Sequence, residues 1–291
     1  MWLGLTLLSA LLLAGYDLAK KHAVRANAVM PVLFLATLSG ALFCVAALAA
    51  AGRLGAAAHL DPADHARVAC KAVIVAASWI CVFHAMRALP ISIVAPIRGS
   101  APLWTLAGAI VLFGEMPSWR RGAGMAAVLA GYALFSWAGR AEGIDFRRHR
   151  GVWLLALGTL LGAASALYDK HLLQGCRLPP DALQFWFSLW LVVLTGLAWM
   201  LQRGTGLDPM PFAWRASIPV VGVALVLADW LYFHALAGPG VAISVVSLLR
   251  RSNVVVSFAV GARLFGEGNL RRKGLALAVI LAGVVVLCLA R

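Results

Sequence analysis

The sequence predicts an all-α integral membrane protein of ten transmembrane helices, built as two inverted repeats of five helices. The first observation is composition: 63% of the 291 residues are hydrophobic and the mean hydropathy is +0.90, well above the values of soluble domains. The second is that apolar residues fall in runs of about 20, the length with which an α-helix crosses roughly 30 Å of hydrocarbon. The third is a stretch of the first half that recurs in the second.

The apolar runs define the ten helices. Polar connections between them are short, and the longest, residues 52–67 and 140–150, are too small for a soluble domain. No basic residue precedes the first run, so we interpret it as a retained helix rather than a secretory signal peptide. The predicted helices cover residues 2–22, 29–51, 68–88, 91–113, 121–139, 151–171, 183–203, 216–236, 241–265 and 272–290.

The recurring stretch indicates an internal duplication. Residues 94–131 share 14 identities in 38 positions with the sequence 152 residues later. The matched residues include Arg98 with Arg250, Glu115 with Glu267 and Gly131 with Gly283. Outside this stretch, Asp17 and Asp169 are also 152 residues apart. The motifs Phe83-His84-Ala85 and Phe233-His234-Ala235 are only 150 residues apart. The second copy has two extra residues in the turn that follows this motif, and they account for the difference from 152.

Five helices per copy is an odd number, so the second copy enters the membrane from the opposite side and the repeats are inverted. Inverted repeats with a binding site between the halves are a known architecture of secondary transporters. We divide the chain into a first repeat at 1–139, a basic linker at 140–150 and a second repeat at 151–291.

The formal charge of +14 is better explained by the membrane than by nucleic acid. Most Lys and Arg residues lie near predicted helix ends, where they fix topology and meet anionic lipid. The five cysteines form no CxxC or Cys/His pattern, and we interpret them as small core residues. The sequence has no metal-ligand spacing, no Ser/His/Asp set and no nucleotide-binding loop, so we expect no metal, no cofactor and no enzymatic activity.

Charged residues inside apolar runs are the candidate functional residues, because a charge in hydrocarbon is costly without a partner or a role. We assign Arg98, Arg250 and Arg251 to binding of an anionic substrate, together with Trp79 and Trp230. Candidate proton-coupling residues are Asp17, Asp169, Asp229, His84 and His234. Pro96 and Pro102 flank Arg98 and predict a break in the fourth helix.

These residues also have structural interpretations. Lys20, Lys21 and Arg98 can extend to the membrane interface, and Asp17 can pair with Lys20 or Lys21, three or four residues on. A single histidine in a membrane helix is more often a hydrogen-bonded structural residue than a proton relay. Glu115 and its repeat copy Glu267 each end a helix near basic residues, which is typical of interfacial anchors.

The sequence resembles the EamA family of the drug/metabolite transporter superfamily. The resemblance rests on Ala95-Pro96-Ile97-Arg98, Leu112-Phe113-Gly114-Glu115 and Leu264-Phe265-Gly266-Glu267. It implies ten helices in two repeats, transport of amino acids, metabolites or drugs, and no ATP hydrolysis. The chain departs from the family in Ala14-Gly15, where Trp-Gly is frequent, and in a second helix without Arg.

The leading hypothesis is a secondary transporter that moves a small polar, anionic metabolite by alternating access, coupled to protons. The alternative is a multidrug or lipid-phosphate exporter of the same fold, and an integral membrane enzyme is the third candidate. We expect a small-molecule substrate, a monomer or homodimer, and a cell-membrane location, which is the inner membrane in a Gram-negative bacterium. The Lys and Arg distribution places both termini outside, whereas the family implies that both are inside, so sidedness stays open.

Overall fold

The protein is helical throughout the part that the structure describes. In a computed structural model, these residues are 1–89, 97–98, 100–138, 149–203, 210–253 and 270–289. The helices are α1 (Trp2–Val24), α2 (Val29–Ala50), α3 (Leu54–Ala58), α4 (Pro62–Ala88), α5 (Ala101–Phe113), α6 (Trp119–Ala138), α7 (Arg150–Lys170), α8 (Pro180–Arg203), α9 (Ser217–Leu236), α10 (Ile243–Arg251) and α11 (Leu270–Leu289), with a π-helical turn at His171–Gly175 after α7.

Two helix termini follow directly from the local sequence. Helix α4 begins at Pro62, since proline lacks the N–H that the first helical turn leaves unpaired. It therefore starts six residues before the predicted position 68. Helix α5 ends at Phe113, because the next residue, Gly114, has a φ of 64°, a left-handed conformation that glycine adopts without a Cβ penalty. The turn at Gly114 aims the following residue, Glu115, back toward the bundle.

The helices confirm a multi-pass membrane protein. Six of those described, α1, α2, α4, α7 with its π-helical turn, α8 and α9, are long and apolar enough to span a bilayer. Shorter apolar helices cover Ala101–Phe113 and Gly122–Gly131. The predicted total of ten transmembrane helices stays a prediction.

Helix packing follows the sequence repeat. Helix α1 packs on α9 and α4 packs on α7, and a shift of about 152 residues exchanges these two pairs. The pairs α2–α9 and α4–α8 are exchanged in the same way. This exchange is the pattern that a twofold relation between the halves produces. The boundaries 1–139 and 151–291 stay predictions.

Candidate functional site

A cavity of about 180 Å³ lies between α1, α4, α5, α7, α8, α9 and α10. Aromatic rings and small residues form much of its wall, but charged side chains distinguish it. Those that line it are Lys20, Lys71, Arg98, Asp169, Asp229, Arg250 and Arg251. Charges inside a membrane bundle are commonly functional, because water-filled or protein-lined paths are where they are tolerated.

The first group of charges surrounds Asp17 on α1. Lys20, one turn further along the helix, places its Nζ 2.9 Å from Asp17 Oδ1. Arg98 Nη1 lies 3.5 Å from the same oxygen, and Asn253 Nδ2 donates to Asp17 Oδ2 at 2.7 Å. The Lys20 ammonium also lies 4.2 Å from the centre of the Tyr16 ring. The Asp17 carboxylate is thus held by three donors.

The second group surrounds Asp169 near the end of α7. Lys71 on α4 forms an ion pair with Asp169 Oδ1, and its Nζ lies 3.5 Å from Ser165 Oγ. Tyr232 donates its hydroxyl to Asp169 Oδ2 at 3.2 Å. Lys71 is 2% exposed and Asp169 is 4% exposed, so the pair is shielded from solvent. The Phe187 ring covers the Lys71 ammonium at 4.3 Å.

Arg250 on α10 connects three helices. Its Nη2 donates to Asp229 Oδ1 at 2.6 Å, and its Nε donates to Ser9 Oγ at 3.1 Å. Ser9 in turn donates to the carbonyl of Ala228 at 2.7 Å. The Arg250 guanidinium also lies 4.1 Å from the centre of the Tyr232 ring. These contacts fix Arg250 at the junction of α1, α9 and α10.

The structure brings together most of the residues assigned to binding from the sequence. Arg98, Arg250, Arg251 and Trp79 all line the cavity. Two of the residues assigned to coupling, Asp169 and Asp229, line it as well, and Asp17 contacts it through Lys20 and Arg98. Pro102 is buried in the first turn of α5. Pro96 and Glu267 lie outside the described residues.

Three assigned residues lie away from the cavity lining. His84 Nδ1 lies 2.8 Å from the carbonyl of Ile80, one turn earlier in α4. Trp230 Nε1 donates to Asp181 Oδ1 at 2.8 Å, and His234 Nε2 lies 3.5 Å from the same oxygen. Arg53 completes this cluster by pairing with Asp181. Trp230 and His234 therefore join the start of α8 to the end of α9.

Two lysines differ from their sequence interpretation. Lys20 does not extend to the interface: it is 1% exposed, because Asp17 and two aromatic rings hold it inside the bundle. Lys71 was missed, because the third helix was predicted to begin at 68 and Lys71 was therefore placed at its end. With α4 beginning at Pro62, Lys71 lies more than two turns inside the helix. The sequence signal that could have identified Lys71 was its position within an apolar run.

Glu115 follows the end of α5, as predicted, and caps α10; its position at a membrane interface stays a prediction. It accepts hydrogen bonds from the backbone N–H groups of Ile243 at 2.9 Å and Ser244 at 3.2 Å. Lys170, at the end of α7, forms an ion pair with it. A carboxylate at a helix N-terminus satisfies unpaired N–H groups and faces the positive end of the helix dipole. Glu115 thus joins α5, α7 and α10.

Comparisons with known proteins agree with this architecture. Residues 1–137 match the model of the EamA-like transporter family. A solved crystal structure of a protein aligns with 99% of this chain and 97% of its own length, with a TM-score of 0.74 and 18% sequence identity, which makes the two chains similar in fold. No curated protein matches the sequence.

Proposed function

We propose that this chain, whose residues 1–137 match the model of the EamA-like transporter family, is a secondary transporter that moves a small polar anion across the membrane. The match of residues 1–137 supports a membrane transporter of the drug/metabolite type. The anionic charge of the substrate, its identity and the coupling of transport to protons are our proposal.

The charge of the cavity is the observation that carries this proposal. Among the residues that the structure describes, the cations with known contacts that line it are Lys20, Lys71, Arg98 and Arg250, against the lining carboxylates Asp169 and Asp229 and the adjacent Asp17. With these groups ionised, they carry one positive charge in excess. An excess of positive charge within a bundle is costly, and an anionic substrate offsets that cost when it binds.

The carboxylates of the cavity are already engaged, which favours an anion over a zwitterion or a cation. Asp17 is held by Lys20 and Arg98, Asp169 by Lys71 and Tyr232, and Asp229 by Arg250. A substrate ammonium would have to displace one of these partners. A substrate carboxylate, phosphate or sulfonate has only to share donors that lysine and arginine possess in excess.

Alternating access is the transport mechanism expected of two inverted repeats. In inverted-repeat transporters the two halves move relative to each other around a site between them. The cavity takes side chains from both predicted repeats, with Lys20, Lys71 and Arg98 from the first and Asp169, Asp229 and Arg250 from the second. The three carboxylates next to these cations supply groups that exchange a proton during the cycle.

A binding screen tests the proposal. Detergent-purified protein is heated with small anionic, zwitterionic and cationic metabolites, beside the variants Arg250→Gln and Arg67→Gln. Arg67 is the matched control, since it is on α4 and outside the cavity lining. A ligand at a hundredfold excess over Kd stabilises the folded state by about 2.7 kcal/mol. We expect anions to raise the unfolding temperature of the wild type and of Arg67→Gln but not of Arg250→Gln.

The same screen distinguishes the anion transporter from the alternative functions. Stabilisation by hydrophobic cations alone, retained in Arg250→Gln, would replace the anion proposal with a multidrug exporter. Stabilisation by phospholipid headgroup analogues but by no small metabolite would favour a lipid-phosphate exporter.

A further inference from the structure

A small pocket adjoins the cavity and differs from it in chemical character. It lies between α1, α2, α4, α8 and α9 and has a volume of about 30 Å³; we call it the side pocket. Most of the residues that line the side pocket alone are apolar or small. The residues that line both spaces are Tyr16, Trp79, Phe83, Phe187, Leu225 and Asp229. Because the two spaces share these walls, a ligand in the cavity can extend into the side pocket.

Gln184 on α8 brings an unpaired acceptor to the side pocket. The residue is 2% exposed, and among the residues that the structure describes its Oε1 has no hydrogen-bond partner. Its Nε2, in contrast, donates to Ser188 Oγ at 2.9 Å. A buried acceptor without a partner is rare in folded proteins, because it has given up its hydrogen bonds to water. The amide oxygen of Gln184 is therefore available to a hydrogen-bond donor of a ligand.

The contacts of Ser188 determine which end of the amide is unpaired. Ser188 Oγ donates its one proton to the backbone carbonyl of Gln184 at 2.8 Å. It can then only accept from the Gln184 side chain, so the amide group that faces it is the NH₂. The opposite orientation of the amide would place two acceptor oxygens against each other with no proton between them. The unpaired group is thus the oxygen, and a ligand that pairs with it must be a donor.

The size of the side pocket limits what this donor can be. A volume of about 30 Å³ admits about two water-sized groups, at about 10–15 Å³ for each. A hydroxymethyl group has this size, and its O–H is a donor. An ammonium is also a donor, but its transfer to apolar surroundings costs far more than that of a hydroxyl, and Asp229 at the border of the pocket already binds Arg250 at 2.6 Å. The side pocket therefore suits a short, neutral arm that ends in a hydroxyl.

The hydroxyl side chains of the cavity favour the same kind of ligand. Ser78, Thr105 and Thr159 line the cavity, and each donates its proton to a backbone carbonyl, at 2.6, 3.1 and 2.7 Å respectively. Ser247 donates to Thr105 Oγ1 at 3.4 Å. Since a hydroxyl has one proton, these four side chains can only accept from a ligand. The cavity therefore offers cationic donors to an anionic group and neutral acceptors to hydroxyl groups.

We propose that the transported anion carries a hydroxyl group on a short arm, and that Gln184 selects it by accepting a hydrogen bond from that hydroxyl in the side pocket. The anionic group of the same molecule binds the lysines and arginines of the cavity. This inference rests on the proposed anion transport and adds the substrate class, a hydroxylated anion, and the residue that recognises it.

Four small sulfonates that differ in a single group test the inference. Isethionate has a hydroxyl at the end of a two-carbon arm; the same position is a methyl group in propanesulfonate, a fluorine in fluoroethanesulfonate and an ammonium in taurine. Sulfonates stay ionised at every pH at which the protein is folded. Fluorine is close to a hydroxyl in size but has no proton to donate. The dependence of the unfolding temperature on ligand concentration gives each Kd.

We expect the wild type to bind isethionate about tenfold or more tightly than the other three sulfonates, because a ligand without a neutral donor leaves the buried acceptor unpaired. Gln184→Met keeps the size of the side chain but removes the acceptor, so it should lose the preference for isethionate. Thr195→Val is the matched control, since Thr195 is a buried polar residue on the same helix and outside both linings. It should keep the preference.

A second variant applies where Gln184→Met fails to fold. Gln184→Asn retains the amide but withdraws it by one methylene. Its preferred ligand should therefore become hydroxypropanesulfonate, whose arm is one carbon longer than that of isethionate. In the wild type, the comparison of isethionate with fluoroethanesulfonate tests the need for a donor without any substitution.

The outcomes separate this inference from the proposed function. Equal affinity of the wild type for isethionate, propanesulfonate and fluoroethanesulfonate would overturn the hydroxylated substrate and leave anion transport standing. A preference for isethionate that persists unchanged in Gln184→Met or in Gln184→Asn would overturn the role of Gln184. Tightest binding of taurine would replace the anion with a zwitterion, and binding of no sulfonate would overturn the anion proposal itself.

Discussion

Ser244 donates its hydroxyl to Glu115 Oε2 at 2.7 Å. This contact joins the turn after α5 in the first predicted repeat to the start of α10 in the second. The same carboxylate holds the first N–H groups of α10, the helix that carries Arg250 and Arg251 into the cavity. Glu115 therefore positions the helix of the two cavity-lining arginines from outside the cavity.

We expect Glu115→Gln to destabilise the protein by about 1–3 kcal/mol, because hydrogen bonds to a charged group contribute more than those to a neutral amide. Ser244→Ala, which removes one of the four donors, should cost about 1 kcal/mol. The free energy of unfolding in mixed micelles measures both effects. Asp61→Asn, at an exposed carboxylate before α4, is the control and should leave stability unchanged. Equal stability of Glu115→Gln and Asp61→Asn would contradict the capping role.

Glu115 also predicts how stability depends on pH. Burial opposes ionisation of Glu115, but hydrogen bonds from Lys170, Ser244 and the backbone of α10 outweigh it and lower the pKa of the carboxyl. A carboxyl with a lowered pKa in the folded state contributes its full stabilisation above its ordinary pKa of 4.5. That contribution is lost as the pH falls from there through the lowered value.

Thermal unfolding of the wild type and of Glu115→Gln between about pH 6 and pH 3 measures this contribution. The difference in stability between the two should be greatest near pH 6 and should shrink as the pH falls. A difference that stays constant or grows toward low pH would show that the pKa of Glu115 is not lowered in the folded protein.

The sequence predicts more of the fold than of the candidate functional site. Hydropathy locates helices because a bilayer demands about 20 apolar residues, and repeated Arg, Glu and Gly residues identify the duplication. Lys71 could not be placed in the same way, because its assignment depended on a helix start that the sequence locates only within a few residues. Trp230 and His234, assigned to binding and to proton coupling, follow Asp229 by one and by five residues. On a helix, however, adjacent residues face different directions.

Close packing of α2 on α9 provides a steric prediction. A Cβ at Gly222 would lie 2.0 Å from the carbonyl oxygen of Ala36 and 2.7 Å from the backbone nitrogen of Gly40. Backbone atoms cannot turn away as a side chain does, so the two helices must separate. We expect Gly222→Ala to cost about 1–3 kcal/mol or more. Gly15→Ala, where no atom lies within 4 Å, is the matched control.

Unfolding in micelles and yield of monodisperse protein measure this effect. Gly15→Ala should be neutral or slightly stabilising, because alanine favours the helix more than glycine. If Gly222→Ala were as stable as Gly15→Ala, α2 and α9 would not pack as closely as the structure places them.

The buried pair of Lys71 and Asp169 predicts strong non-additivity. Removing one partner leaves a buried charge without compensation, which typically costs about 3–5 kcal/mol. We expect Lys71→Met and Asp169→Asn each to destabilise the protein by such an amount. The double variant should lose much less than the sum, because replacing both members of a buried pair is often close to neutral.

A double-mutant cycle of unfolding free energies checks this prediction, with Arg67→Gln and Asp64→Asn as the control cycle. Arg67 and Asp64 form a partly exposed pair on the same helix, and exposed pairs contribute about 0–1 kcal/mol. Additive losses in the Lys71 cycle would show that the two groups are not paired in the folded protein. A double variant that is stable but no longer binds anions would separate the two roles of Lys71, since the ammonium would then be dispensable for folding and required for binding.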